Sequence, residues 1–243
     1  MKSIFKLIVL FCGMLPFIGN AQTTLMDQPA QNPSERLQKG PNSTYYQSGF
    51  WSFGVAIPIE ESDSAQTASS AIWRYGTRGK WRWSNTFAGI WDLGWNRAAY
   101  RIEQDSAKNV FGRGQEFDQQ KFVWNQLEAG AGIRVNVGKR GNYLGNFIDL
   151  GGYGEWGFSV RQQLKQDVNP ALKDGATKIK TTFGRLDYIN PLNYGLAVRL
   201  GVNKLALWTK YRMSDQFKAS DSVNEGKKYP ELTRLQVGVE VTF

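Results

Sequence analysis

The chain alternates. In LQVGVEVTF, Leu235, Val237, Val239, Val241 and Phe243 fall on one parity, and Gln236, Gly238, Glu240 and Thr242 on the other. A period of two is the signature of a β-strand, because successive side chains point to opposite faces. The pattern recurs along the chain. Trp51, Phe53, Val55 and Ile57 share a parity, as do Trp73 and Tyr75, and then Trp83, Phe87, Trp91, Leu93 and Trp95. It continues through Val123–Val137, Ile148–Val160, Tyr194–Leu200 and Leu205–Met213. These segments predict eight strands. Between them, short turns fall near 77–80, 138–145 and 201–204, and longer polar loops near 59–69, 104–117, 165–177 and 215–230. Pro191 predicts a bend, since proline cannot donate to a ladder.

The first segment does not alternate. Lys2 and Lys6 precede an apolar run from Ile4 to Ile18, which ends in Gly19-Asn20-Ala21. This is the layout of a secretory signal peptide, so residues 1–21 are read as an export signal cleaved near Ala21. Residues 22–45 are polar, carry three prolines and have no period, which predicts a flexible periplasmic lead. The β-domain is expected over 46–243.

Alternation alone does not say which face is inside. A mean hydropathy of −0.44 is too polar for helical spans, yet the chain holds 9 Trp, 10 Tyr, 14 Phe and 26 Gly. A barrel that faces lipid outside and polar groups inside has this composition. Short turns at one end and long loops at the other fit the same arrangement. So do the aromatics Trp81, Trp83, Trp95, Tyr188 and Tyr194, expected as interfacial belts. The stretches near 81–103, 118–137 and 146–163 exceed the ~9–11 residues a tilted membrane strand needs, so a protruding sheet is expected. The fold expected is therefore all-β, an eight-stranded antiparallel transmembrane up-and-down β-barrel in the outer membrane. A soluble periplasmic β-barrel binding protein is the other fold that alternation allows.

If the apolar parity meets lipid, the lumen receives Arg74, Arg82, Arg134, Arg161, Arg199, Lys210, Arg212 and Arg234. It also receives Asp92, Glu128, Asp149, Glu155 and Glu240. Unpaired, each would cost several kcal/mol to bury, so a mutually paired, plugged lumen is expected. A narrow pore for small anionic solutes is the alternative, because Lys and Arg number 30 against 21 Asp and Glu. Histidine is absent and Cys12 is the single cysteine. That removes histidine-based acid–base chemistry, disulfides and thiolate metal sites. No catalytic residue, metal or cofactor is expected. The basic-aromatic run RGKWRW at 78–83 reads as an interfacial belt, and nucleic acid is not an expected partner.

The signal segment, eight strands, short turns and closing phenylalanine resemble the small outer-membrane β-barrel proteins of Gram-negative bacteria, OmpA/OmpX-like and PorT-like. The resemblance covers roughly 46–243 and is architectural. It implies outer-membrane lipid and lipopolysaccharide as surroundings. It further implies that Leu235, Val237, Val239, Val241 and Phe243 act as the signal read by the barrel-assembly machinery. A PorT-like protein would serve in a secretion complex of the envelope; more generally, a docking, adhesion or scaffold role is expected.

Overall fold

The computed structural model describes residues 40–59, 70–102, 118–138, 142–167, 178–184, 186, 188–218 and 231–243. The expected export signal, its cleavage point and the lead up to residue 39 lie outside the described residues, as do most of the long loops. The described part is all-β. Its strands are β1 (Tyr45–Ile57), β2 (Ala71–Arg82), β3 (Phe87–Ile102), β4 (Gln119–Val137), β5 (Asn146–Asp167), β6 (Lys178–Gly184), β7 (Leu192–Val202), β8 (Leu205–Arg212) and β9 (Leu235–Thr242).

Eight of these close into an antiparallel ring, in the order β1-β2-β3-β4-β5-β7-β8-β9 and back to β1. Closure sets Phe50 opposite Thr242 and Ile57 opposite Leu235. Gly49 and Phe243 add a reciprocal pair of backbone hydrogen bonds, 2.9 and 3.0 Å long. Each ring strand thus has a neighbour on both sides. The short β7–β8 turn holds Asn203 at φ 56°, a conformation asparagine adopts more readily than most side chains.

Four features depart from the sequence reading. The β2–β3 turn lies at 83–86, not 77–80, and Thr77–Lys80 continue β2. The charges of Arg78 and Lys80 explain the extension, because both side chains are buried inside the ring. Second, the stretch expected as one bent strand is divided at Pro191. β6 pairs only with the far part of β5, Arg161–Asp167, and β7 takes the ring position beside β5. Third, β5 carries a bulge. Asn125 faces Ser159 while Gln126 faces Gly157, leaving Phe158 as an extra residue. Fourth, residues 40–44 are tied to the ring, since Arg82 N–H donates to Thr44 O at 2.8 Å and Arg82 Nη1 to Asn42 Oδ1 at 3.0 Å.

The ring interior has two storeys. Toward the loops lies an apolar cluster that includes Ile72, Tyr100, Phe122 and Trp124, joined by Ile189, Phe217 and Leu232 from the connections. Toward the short turns the interior is charged. Trp208 lies between them, over Gly54 and Gly238. A Cβ at Gly54 would stand 2.4 Å from the Trp208 ring, and one at Gly238 would stand 2.2 Å from Phe53 O. Two facing glycines leave the space this indole fills.

Candidate functional site: a closed charge network inside an apolar girdle

Arg74 from β2 grips Glu128 from β4 with two hydrogen bonds of 2.6 and 3.0 Å. Arg78 does the same to Glu240 of β9, at 2.5 and 3.1 Å, and also donates through Nε to Asp92 at 2.6 Å. Arg134 holds Asp149 at 2.7 and 2.8 Å. Arg199 of β7 bridges Asp149 at 3.1 Å and Asp92 at 2.9 Å. Lys210 of β8 closes the circuit to Glu155 at 2.6 Å and Glu128 at 2.9 Å. Asn96 adds a bond of 2.9 Å to Glu155.

The balance is even, with Arg74, Arg78, Arg134, Arg199 and Lys210 against Asp92, Glu128, Asp149, Glu155 and Glu240. The cationic excess of the whole chain is therefore not repeated in this network. Planar guanidinium groups suit these paired contacts, because each presents several donors in one fork. Aromatic faces shield the cations further. The Arg134 guanidinium lies 3.6 Å from the Phe147 centroid, and Lys210 Nζ lies 3.9 Å from that of Tyr153.

The space remaining among these side chains is about 20 Å³, lined by Arg74, Asp92, Glu128, Asp149, Arg199 and Lys210 among others. That is room for roughly one water molecule. Every carboxylate of the network already faces a cation. Among the described residues, no group of acidic, histidine or cysteine side chains is placed to hold a metal ion.

Of the residues assigned to the interior from sequence, Arg74, Asp92, Glu128, Arg134, Asp149, Glu155, Arg199, Lys210 and Glu240 come together here. Four do not. Arg161 is exposed, because the extra residue at the bulge reverses parity beyond Phe158. Arg234 sits at the loop-side rim, paired with exposed Asp215 at 2.6 Å. Arg82 lies half-buried at the opposite rim. Arg212 is buried but separate, held by Glu231 at 2.7 Å and by Leu232 O at 2.6 Å. Arg78 and Lys80 fall in the turn expected at 77–80, and both are buried inside the ring instead. The parity of Trp73, Tyr75 and Trp81, run straight through the TRGK segment, would have found them. Lys80 donates to Pro41 O at the short-turn end.

The outer face is apolar. Tyr75, Trp95, Leu127, Trp156 and Leu192 stand in one cross-strand row around β2, β3, β4, β5 and β7. Below it, toward the short turns, come Leu93, Ile133, Leu150, Leu196, Leu200 and Leu207, all exposed. Trp81, Trp83, Trp95 and Tyr194 lie on this exterior. Tyr188 does not. Its ring stacks on Phe217 with centroids 6.1 Å apart, and its hydroxyl donates to Gln162 at 3.1 Å. Ile189 beside it belongs to the apolar cluster, and Tyr188 and Leu186 pack against that cluster. On β9, Val239, Val241 and Phe243 are exposed on the outer face, and Leu235 and Val237 are partly so. In comparison with known proteins, no family model matches this chain and no curated protein does.

Proposed function

We propose that this chain is an outer-membrane β-barrel of the Gram-negative envelope, with an occluded polar lumen and a docking or scaffold role. One observation carries the reading: the side-chain distribution is inside out. Charges are buried and paired in the ring interior while Leu192, Val202 and Trp83 are 68, 66 and 65% exposed. Soluble monomers rarely expose contiguous apolar patches beyond a few hundred Å². Here exposed apolar side chains occur on every ring strand.

The dimension fits as well. β7 runs for 11 residues, Leu192 to Val202, with every second side chain on the apolar girdle. At ~3.4 Å per residue and a tilt of about 45°, that spans roughly 25 Å, the height of a membrane barrel's apolar band. The charge network and the apolar cluster above it support a plug rather than a pore. With the lumen closed, activity falls to the loop-side rim, where β5 and β6 run past the girdle. β6 is exposed along its whole length, and a strand edge of this kind can pair with a partner's strand. The partner would belong to an envelope complex, or to a secretion complex if the PorT-like resemblance extends to function. β9, with its outward Leu235, Val237, Val239, Val241 and Phe243, would be the segment the assembly machinery engages.

The test is insertion followed by conductance. The full chain should float with lipid vesicles and migrate differently on gels before and after boiling. In a planar bilayer it should be electrically silent. A chain left in the soluble fraction would overturn the membrane reading. Discrete conductance steps altered by Arg199→Ala would overturn the plug and leave the membrane reading standing.

A further inference from the structure

Above the row Trp95–Leu127–Trp156, and past Phe158 and Val123, the exterior of β3, β4 and β5 becomes cationic. The next outward residue on β3 is Arg97, and Arg101 follows with Lys121 opposite it on β4. Lys165 on β5 stands opposite Lys180 on β6. Arg161, turned outward by the bulge, lies on the same face. Like charges opposite one another weaken a sheet. Partial burial holds the Lys121 ammonium below the usual lysine range, and the charges of Arg97, Lys165, Lys180 and Arg101 press the same way. A bound polyanion would relieve that repulsion.

Beside this patch runs a groove of about 470 Å³ on the outer face of β1 to β4. It is lined by Trp51, Trp73, Tyr75 and Trp95, with Ala71 and Ala99 leaving space, and it reaches Arg97 and Lys121. Trp73 stands directly opposite Arg97. An aromatic slot that ends at cations is complementary to an acyl chain that ends at a phosphate. The cations lie on four adjacent strands, β3 to β6. At ~4.8 Å per strand their spread is on the order of 14 Å, wider than one phosphate covers.

We propose that this face binds a lipid with more than one phosphate, the acylated saccharolipid class of the outer leaflet. An acyl chain would lie along Trp73 and Trp95, and the phosphates against Arg97, Arg101, Lys121, Lys165 and Lys180. The site rests on the membrane-spanning reading above, which sets the patch at the edge of the apolar girdle.

The experiment is a binding titration of the full chain in phosphatidylcholine nanodiscs, with bisphosphorylated lipid A as probe and phosphatidylglycerol as the single-phosphate comparison. The triple variant Arg97→Ala/Lys121→Ala/Lys165→Ala should bind lipid A about tenfold or more weakly, since each surface cation contributes measurably to anionic-lipid affinity. Lys204→Ala, at the opposite end, should bind as the parent does, and the parent's affinity should fall with salt. Unchanged binding by the triple variant, or equal affinity for phosphatidylglycerol, would overturn the site. If those results came from a chain that still floats with vesicles, the membrane reading would survive. If the chain does not float, both fall together.

Discussion

Arg78 and Glu240 meet across an intervening strand: β1 lies between β2 and β9, yet the two side chains form a two-pronged contact of 2.5 and 3.1 Å in the ring interior. Both are nearly inaccessible, at 3 and 0%. The pair ties the first hairpin to the closing strand. It joins the rest of the network through Asp92 and through the approach of Arg74 and Arg199 to Glu240, at 3.8 and 3.9 Å.

Removing one member should therefore hurt more than removing both. Arg78→Met leaves two carboxylates short of a partner, a loss of about 3–5 kcal/mol by analogy with broken buried pairs. Arg78→Met/Glu240→Leu should recover much of that. Urea unfolding of Arg78→Met, Glu240→Leu and the double variant in vesicles, followed by gel migration without boiling, measures the difference. A double variant as unstable as the sum of the singles would contradict the coupling.

The glycine pair under Trp208 makes a second prediction. Gly238→Val places methyl groups where Phe53 O and the Trp208 ring already stand, and overpacking of this kind costs about 1–3 kcal/mol or more. Gly184→Ala is the control, because nothing lies within 4 Å of its added Cβ. Thermal unfolding should separate the two by many degrees.

Phe158 should be dispensable to the ladder. Its neighbours Gly157 and Ser159 already face consecutive residues of β4, Gln126 and Asn125. Deleting Phe158 restores a regular pairing without moving either flank. Deleting Leu150 instead would shift Asp149 against Arg134 and Arg199. The yield of folded protein should fall steeply for the second deletion and little for the first.

Lys121 should be a liability in the absence of ligand. Its folded-state proton affinity is lowered, first by burial and then by neighbouring cations. The unfolded chain thus binds that proton more tightly. Stability should rise as pH climbs through the lowered value and level off above the ordinary lysine range. Lys121→Met should stabilise the protein in low-salt buffer at neutral pH, and added salt should shrink the gain. Paired unfolding curves at two salt concentrations provide the check.

The ring was legible in the sequence because its determinant is local. Parity assigned outward residues such as Leu127 and Leu150 and inward ones such as Arg74 and Arg134 without any knowledge of their partners. What escaped depended on contacts made elsewhere. Thr77–Lys80 carries turn-forming residue types, yet it is laddered to β1 and β3, and Arg78 meets carboxylates inside the ring. Arg161 was misplaced because one unpaired residue reverses every later parity, and a bulge leaves no mark in hydropathy. Tyr188 looked like a belt residue, yet it packs on Phe217 from a distant connection. The evenness of the network was legible only in part, since it counts Arg78.

The closing seam between β1 and β9 has a consequence for how such a chain is made. The sheet can grow from β1 to β8 between near neighbours in sequence, with β6 set aside on the far part of β5, but its two outer strands find a mate only when β9 arrives. Until then the half-made sheet is an open ribbon with two unsatisfied borders and a greasy back. Borders of that kind are prone to pair with other chains, and the β1–β9 pairing that removes them joins the residues farthest apart in sequence.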